Sequence, residues 1–492
     1  MTSTYHLQIP ARWILGRLLR LGATAVILTA GGCLSVGPDF EAPVVAMPDA
    51  WQQEVSKGLE PGPTNIDRWW ERFNDPILTG LIEQARQNNP DLRSAALRLE
   101  EALALRGVAA SAYYGSVAAD ASALASRASE STTPLPPGTD PEYDYYTIGA
   151  NAVWEADVWG RVRRSVESAS ASLDASLEDY RDILVLIQSR VAGSYVGLRT
   201  TQKQILLTEN NVRSQRSTYQ LTIDRFNSGL AADLDVRRAE LNLAITEATL
   251  PALYSRQEEL LNSLSVLVGE MPGGIRQQVG SSATIPMAEA PVFTGIPADL
   301  LRQRPDIRRA ERRVAAQNAQ IGVATSEWYP RFLLVGDLRL ESFDYDNLFD
   351  GASQAYGFGP QIRWNIFSGG RIRNQVRAEE ARTRLALVAY ERTVLQAVGE
   401  TETAMAAYVQ EKERHAILKR AVEAAAVSVD QTQTLYKSGL TDFQNVLNME
   451  RDLFQQQNAQ ASSEGEIALR MIDIFRAVGG GWQDAPQPTI QP

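Results

Sequence analysis

Apolar side chains recur at spacings of three and four through two long stretches. Leu173, Leu177, Tyr180, Leu184, Ile187, Val191 and Leu198 form one stripe; Leu387, Tyr390, Val394, Ala397 and Tyr408 form a second. This is a heptad-like seam, and its Ala, Ser and Thr neighbours predict broad, shallow helix packing. No proline falls between Pro141 and Pro251, or between Pro360 and Pro486, so nothing interrupts a long helix in either span. The pattern predicts helices over 161–227 and 371–437, each 67 residues and ~100 Å long at 1.5 Å per residue. Shorter helices are predicted over 90–113, 230–268, 305–328 and 440–478. Each half then has two short helices whose combined length nearly equals the long one. Stacked end to end beside it, they give two column-length rods per half. Pro251 interrupts one short helix, whereas the matching position in the other half is Ala461.

Between the helices the period changes to two. Phe332, Leu334, Leu338 and Leu340 alternate with Asp337, Arg339 and Glu341. Tyr356, Phe358, Ile362, Trp364 and Ile366 alternate with Gln361, Arg363 and Asn365. Tyr146, Ile148, Ala150, Ala152 and Trp154 alternate with Asn151, Glu155 and Asp157. Residues 117–126 alternate weakly and are alanine-rich. These patterns predict strands at about 112–127, 144–158, 331–345 and 355–367. Their lengths suit tilted barrel strands of ~9–11 residues, apolar toward lipid and polar toward the lumen. A soluble sheet with one wet face has the same alternation. Pro360 removes a ladder hydrogen bond from the last strand. A single-chain outer-membrane barrel needs at least about eight strands, and an open edge in lipid is not tolerated. Strands from several subunits must therefore be pooled, or these strands stay out of the membrane.

The two halves are copies of one unit. "YTIGANAVWEADVWGRVRRSV" (residues 146–166) aligns with "YGFGPQIRWNIFSGGRIRNQV" (356–376) at an offset of 210, and "RFNSGLAADLDV" aligns with "LYKSGLTDFQNV" at the same offset. "NPDLRSA" aligns with "RPDIRRA" at 215, as do Gly107-Val108-Ala109 and Gly322-Val323-Ala324. Matching blocks in one order mark a duplication. The predicted organisation is a leader at 1–32, an extended Pro-rich strap at 33–75, a first repeat at 76–270, a linker at 271–296, a second repeat at 297–480 and a tail at 481–492.

Composition removes several function classes. Cys33 is the one cysteine, and His6 and His415 are the only histidines. One cysteine excludes an intramolecular disulfide and a Cys-based zinc site, and two histidines argue against a His-cluster metal site or a His-dependent triad. No phosphate-binding loop of the GxxxxGK[ST] type occurs, so no enzyme and no cofactor are expected. A net charge of -11 without a basic block argues against nucleic acid as a partner. Residues 1–32 contain no Asp or Glu; Arg12, Arg17 and Arg20 precede an apolar run, and Gly31-Gly32 precede Cys33. This is a secretory signal. It resembles a bacterial lipoprotein signal, in which the cysteine becomes the lipidated first residue, and Leu34 beside it favours the outer membrane. The rest of the chain has no apolar run near the ~18–20 residues of a spanning helix, so any membrane crossing must use strands.

"CLSVGPDFEAP" after the leader, "WWERFNDPILTGLIEQARQNNPDL" from Trp69, the paired "SGL" turns and the closing "GGGW" resemble the outer-membrane factors of tripartite efflux systems, the TolC/OprM-like channels, and especially their lipoprotein branch. The resemblance spans the whole mature chain. It implies an α+β membrane protein built as a homotrimer. Three protomers would give four strands each to one 12-stranded transmembrane barrel, and four rods each to a periplasmic α-barrel. It implies lipidation at Cys33 and residence in the outer membrane with a long periplasmic extension. It also implies passive conduction of drugs or other small molecules, delivered by a periplasmic adaptor and an inner-membrane pump of the proton-driven RND type. By the same resemblance the helix turns form the periplasmic tip. Arg225, Gly229, Leu230, Lys437, Gly439 and Leu440 would meet the adaptor, and Asp233, Asp235, Asp442, Asn445 and Asn448 would line the aperture. Asn445 and Asn448 stand where such channels can have Asp, which makes the ring less acidic. As turn and cap residues the glycines and aspartates need no further role. Charge pairs among Arg225, Asp233, Asp235 and Lys437 are expected to hold a closed tip.

The competing readings are a lipid-anchored periplasmic adaptor and a non-conducting coiled-coil scaffold. Adaptors usually carry one helical hairpin flanked by β-rich halves, which two whole repeats with paired strands fit poorly. A scaffold would lack a barrel.

Overall fold

The computed structural model describes residues 35–45, 59–61, 66–129, 131, 140–288, 292–294 and 302–485. The leader, Cys33, and parts of the strap, linker and tail lie outside these. In chain order the elements are β1 (Leu59–Pro61), α1 (Pro76–Asn88), α2 (Pro90–Ser111), β2 (Ser116–Arg127), β3 (Glu142–Ala156), α3 (Arg161–Asn227), α4 (Asp233–Glu247), α5 (Leu250–Leu267), α6 (Arg276–Val279), β4 (Val292–Thr294), α7 (Pro305–Ser326), β5 (Arg331–Ser342), β6 (Gln354–Arg363), α8 (Arg371–Lys437) and α9 (Phe443–Ala477). The predicted long helices recur as α3 and α8, each 67 residues. The 230–268 helix is in fact two, α4 and α5, parted at Ala248-Thr249, with Pro251 in the first turn of α5. Proline fits there because the first-turn N–H groups have no intrahelical acceptor. Its counterpart α9 is continuous.

Two compact units form, and each takes pieces of both halves of the chain. One comprises the chain up to Pro43 with Glu101–Asp174 and Glu311–Val388; the other comprises Val44–Glu100, Ala175–Ala310 and Ala389–Pro492.

The first unit holds an antiparallel four-stranded sheet in the order β2-β3-β5-β6. Its register carries Ala119, Ala150, Leu338 and Tyr356 across one face, and Asp120, Gly149, Arg339 and Ala355 across the other. β6 is an edge strand, which is where Pro360 is tolerated. The last strand ends at Arg363, short of the predicted 367, because its partner β5 begins opposite it at Arg331; just beyond, the Trp364 indole donates to the Trp328 carbonyl at 3.0 Å. Within β3 the Trp154 indole donates to the Tyr113 carbonyl, just before β2, at 2.8 Å.

The second unit holds the main core. Trp69 stacks on Phe475 with centroids 5.4 Å apart and meets Trp70 edge-on at 5.8 Å. Asp75 caps α1, accepting from the backbone of Ile77 and Leu78, and its other oxygen accepts from the Tyr195 hydroxyl at 2.7 Å. Arg199 is fully buried and donates to the Tyr195 hydroxyl, Gln202 Oε1 and the carbonyls of Val279 and Ser282. The Trp69-Trp70 pair is thus core.

Candidate functional site

The sheet separates polar from apolar residues. Leu334, Leu338, Tyr356, Phe358 and Ile362 are exposed large apolar residues, all on the face that also carries Ala119 and Ala150. An apolar sheet face left open to solvent needs a covering medium. The opposite face holds ordered polar contacts. Asn151 Nδ2 donates to Asp120 Oδ1 at 3.1 Å, Arg339 Nη2 donates to Asp337 Oδ2 at 2.9 Å, and the Tyr145 hydroxyl donates to Glu341 Oε2 at 2.8 Å. Among the described residues, β2 and β6 each have one edge without a partner strand. Among the described residues, no helix is long and apolar enough to cross a membrane. No group of three His, Cys, Asp or Glu side chains there is placed to hold a metal.

Just after the lipidation candidate, the strap is seated in a socket of the same unit. The Val36 amide donates to the Trp159 carbonyl at 3.1 Å. Arg164, almost wholly buried, donates to the carbonyls of Val36 and Gly37, to Asp39 Oδ1 at 2.7 Å and to Glu167. Asn318 Nδ2 donates to the Pro38 carbonyl at 3.1 Å. Gly37 has φ +93°, and a Cβ there would lie 2.5 Å from Gly322 Cα. The sequence reading did not identify this socket. Its signals in the sequence are Gly37, within "CLSVGPDFEAP", and Gly322, which aligns the repeats.

At the other candidate region α3 and α8 end alike. Gly229 (φ +74°) and Gly439 (φ +73°) adopt the left-handed conformation that glycine accepts without strain. The Leu230 amide donates back to the Arg225 carbonyl at 2.8 Å, and Leu440 does the same to Leu435 at 2.9 Å. This reversal satisfies carbonyls that a helix end leaves free. It leaves Leu230 67% and Leu440 75% exposed at the turns. Arg225 links the two ends: its guanidinium lies 4.7 Å from the Tyr436 ring centroid, and Nη1 donates to the Lys437 carbonyl at 3.2 Å.

Within this chain the charge pairs expected among Arg225, Asp233, Asp235 and Lys437 are replaced by local ones. Asp233 faces Arg237 at 3.7 Å and Asp235 faces Arg238 at 4.0 Å, both within α4. Neighbours three and four residues along a helix are already on one face, so they capture these carboxylates at little entropic cost. Asp442 caps α9 by accepting from the Asn445 amide. Asn445 Nδ2 donates to Thr441 Oγ1, and Asn448 Oδ1 accepts from Gln444.

Behind the turns Ala239, Tyr436, Phe443, Val446 and Leu447 form a small core. Glu450 is buried nearby, seven residues after Phe443 and so on the same helix face as Phe443, Val446 and Leu447. Its Oε1 accepts from Thr218 Oγ1 at 2.7 Å and Gln433 Nε2 at 3.0 Å, and its Oε2 has no partner. Burial raises its pKa above the ordinary value, and the two hydrogen bonds oppose the rise.

These features have close counterparts. The solved outer-membrane channel OprN superposes with a TM-score of 0.83 at 33% identity, covering 91% of this chain and 99% of that one. Nodulation protein T of Rhizobium leguminosarum bv. trifolii is 29% identical over 464 residues, 92% of this chain and 96% of its own. The toluene efflux pump outer membrane protein TtgI of Pseudomonas putida is 29% identical over 462 residues, 93% and 97% of the two chains. The family model described as outer membrane efflux protein matches residues 81–270 and 296–480, so the chain belongs to the outer membrane efflux protein family and is an outer-membrane exit duct.

Proposed function

We propose that three copies of this chain pool their sheets into one 12-stranded barrel, and that the resulting duct passively conducts drugs or other small molecules out of the periplasm. The observation that carries this reading is the open sheet: four strands, opposed polar and apolar faces, and two unpaired edges on β2 and β6. Lipid covers an apolar outer face, and edge-to-edge pairing between copies removes the open edges that lipid forbids. The rods formed by α3, α8 and the shorter helices make the periplasmic α-barrel. In this reading Gly229, Leu230, Gly439, Leu440, Arg225 and Lys437 dock a periplasmic adaptor. Asp233, Asp235, Asp442, Asn445 and Asn448 edge the aperture. The inner-membrane partner is a transporter of the proton-driven RND type. Lipid on Cys33 anchors the mature chain, and the socket that fixes Val36 and Gly37 supports this by holding the chain a few residues from that cysteine.

Electron microscopy of the detergent-purified protein tests the assembly, and planar-bilayer recording tests conduction. A three-fold hollow particle with a helical column of ~100 Å that opens unitary conductances is expected. A monomer, or a solid bundle without a barrel, refutes the proposal.

A further inference from the structure

The duplicated hairpins differ most in charge at one end of the sheet. In the first hairpin, the register pairs Ser116 with Val153 at the end from which α3 departs. In the second, the corresponding pair, where α8 departs, is Arg331 opposite Arg363. Both arginines are on the polar face with Asp337 and Arg339, at even spacings along β5 and across to β6. Like charges directly opposite on neighbouring strands destabilise a sheet, so this pair is kept against a local cost. Among the described residues neither guanidinium has a carboxylate partner, whereas Arg339 on the same face is bound to Asp337.

The helix starts repeat the contrast. In the first repeat Arg161 pairs with Glu155 at 2.8 Å and Arg163 with Asp157 at 3.3 Å. At the offset of 210 the acidic positions become Asn365 and Phe367, while both arginines remain as Arg371 and Arg373. Arg371 finds Glu327 at 2.8 Å, and Arg373 has no carboxylate partner among the described residues. At these aligned positions the second half therefore has two fewer acids and two more bases than the first. Farther along the same face Asp120, Asp337 and Glu341 outnumber Arg339.

We propose that Arg331 and Arg363 form a basic collar at the helix end of the barrel lumen, which binds anionic groups of passing solutes and offsets the acidic lining beyond it. The collar rests on the exit-duct reading, in which the polar face lines the lumen and three copies close it. Rings of guanidinium groups favour anions in pores. Two unpaired charges at adjacent strand positions act together, because their separation is well inside the ~8 Å Debye length of physiological salt.

The test is bilayer recording on the full-length protein, comparing wild type with R331Q/R363Q and R331K/R363K. The readouts are the reversal potential in a KCl gradient and block by inorganic triphosphate added from the helix side. Glutamine at both positions is expected to shift the reversal potential toward that of K+ and to raise the half-blocking triphosphate concentration about three- to tenfold, the scale of losing exposed charge contacts. Lysine at both keeps the wild-type values. Unchanged reversal potential and block in the glutamine variant, with unitary conductance retained, overturn the collar and leave the duct intact. Lysine behaving like glutamine also overturns it, since charge would not be the cause. Wild-type protein that opens no pore refutes the duct reading itself, and the collar with it.

Discussion

Replacing Gly322 with alanine sets two physical effects against each other. Gly322 is inside helix α7, where alanine ordinarily stabilises by ~0.8–1 kcal/mol through backbone propensity. Here the new Cβ would lie 2.7 Å from Arg164 Cγ, 2.9 Å from Arg164 Cδ and 2.8 Å from the Val36 carbonyl oxygen. Arg164 has little room to yield, because its guanidinium is committed to Val36, Gly37, Asp39 and Glu167. Overpacking of this kind costs ~1–3 kcal/mol, and each strap hydrogen bond lost with it costs ~0.5–1.5 kcal/mol more. The clash wins by roughly 1–3 kcal/mol. The strap yields first, since it is a single extended segment while α7 is packed along its length. Every 1.4 kcal/mol is a factor of ten in an equilibrium, so the Val36 amide, protected by its bond to the Trp159 carbonyl, is expected to exchange about ten times faster or more. Amides within β3 keep their wild-type rates. Gly107 is the control: it occupies the matching position in α2, and nothing is within 4 Å of its would-be Cβ. Alanine there gives only the propensity gain. Hydrogen exchange read by mass spectrometry on both variants checks the claim. Unchanged or increased protection of Val36 in G322A refutes the close-packing argument.

Three other outcomes follow from the geometry. Burial holds the Glu450 pKa above its ordinary value of 4.5, so the folded state binds this proton more tightly than the unfolded chain. Native stability should fall as pH rises from about that ordinary value through the raised one; E450Q should flatten this slope in thermal unfolding, and a slope unchanged by the substitution contradicts it. R199M should strand the Val279 and Ser282 carbonyls and Gln202, costing about 2–5 kcal/mol; a denaturation midpoint equal to wild type would show that the buried guanidinium is dispensable. R225A removes a cation–π contact of about 0.5–2 kcal/mol and the link to Lys437, so the Leu230 and Leu440 amides should exchange faster, and equal rates would show that the two turns are held independently.

The long helices could be read from the sequence because their ends are marked locally. Gly160 and Gly370 precede α3 and α8, Gly229 and Gly439 follow them, and all four have positive φ. The strands could be read because one face is apolar and the period is two. The turns carried their own glycine signal. Partner choice was not readable. Whether Asp233 meets Arg225 or Arg237 depends on side-chain placement after the fold is fixed, and the helical neighbour four residues away prevailed. The spacing from Phe443 puts Glu450 on the buried face, but its partners Thr218 and Gln433 lie on other helices and could not be read. The two compact units were hidden because each gathers residues from both halves of the chain, whereas a repeat search sees contiguous copies. The strap socket was hidden because its walls come from three distant segments.

That socket bears on the order in which the chain folds. The bond from Arg164 to Val36 closes a separation of 128 residues, and the bond from Asn318 to Pro38 closes one of 280. Contacts this distant form late, since the entropy of closing the loop is lost before they contribute anything. The residues just after Cys33 leave the ribosome among the first. Their seat does not exist until α7, from the second half of the chain, has come to α3. The Val36–Pro38 segment must therefore wait unseated until that late contact is made. Its docking then reports that both halves of the chain have been built.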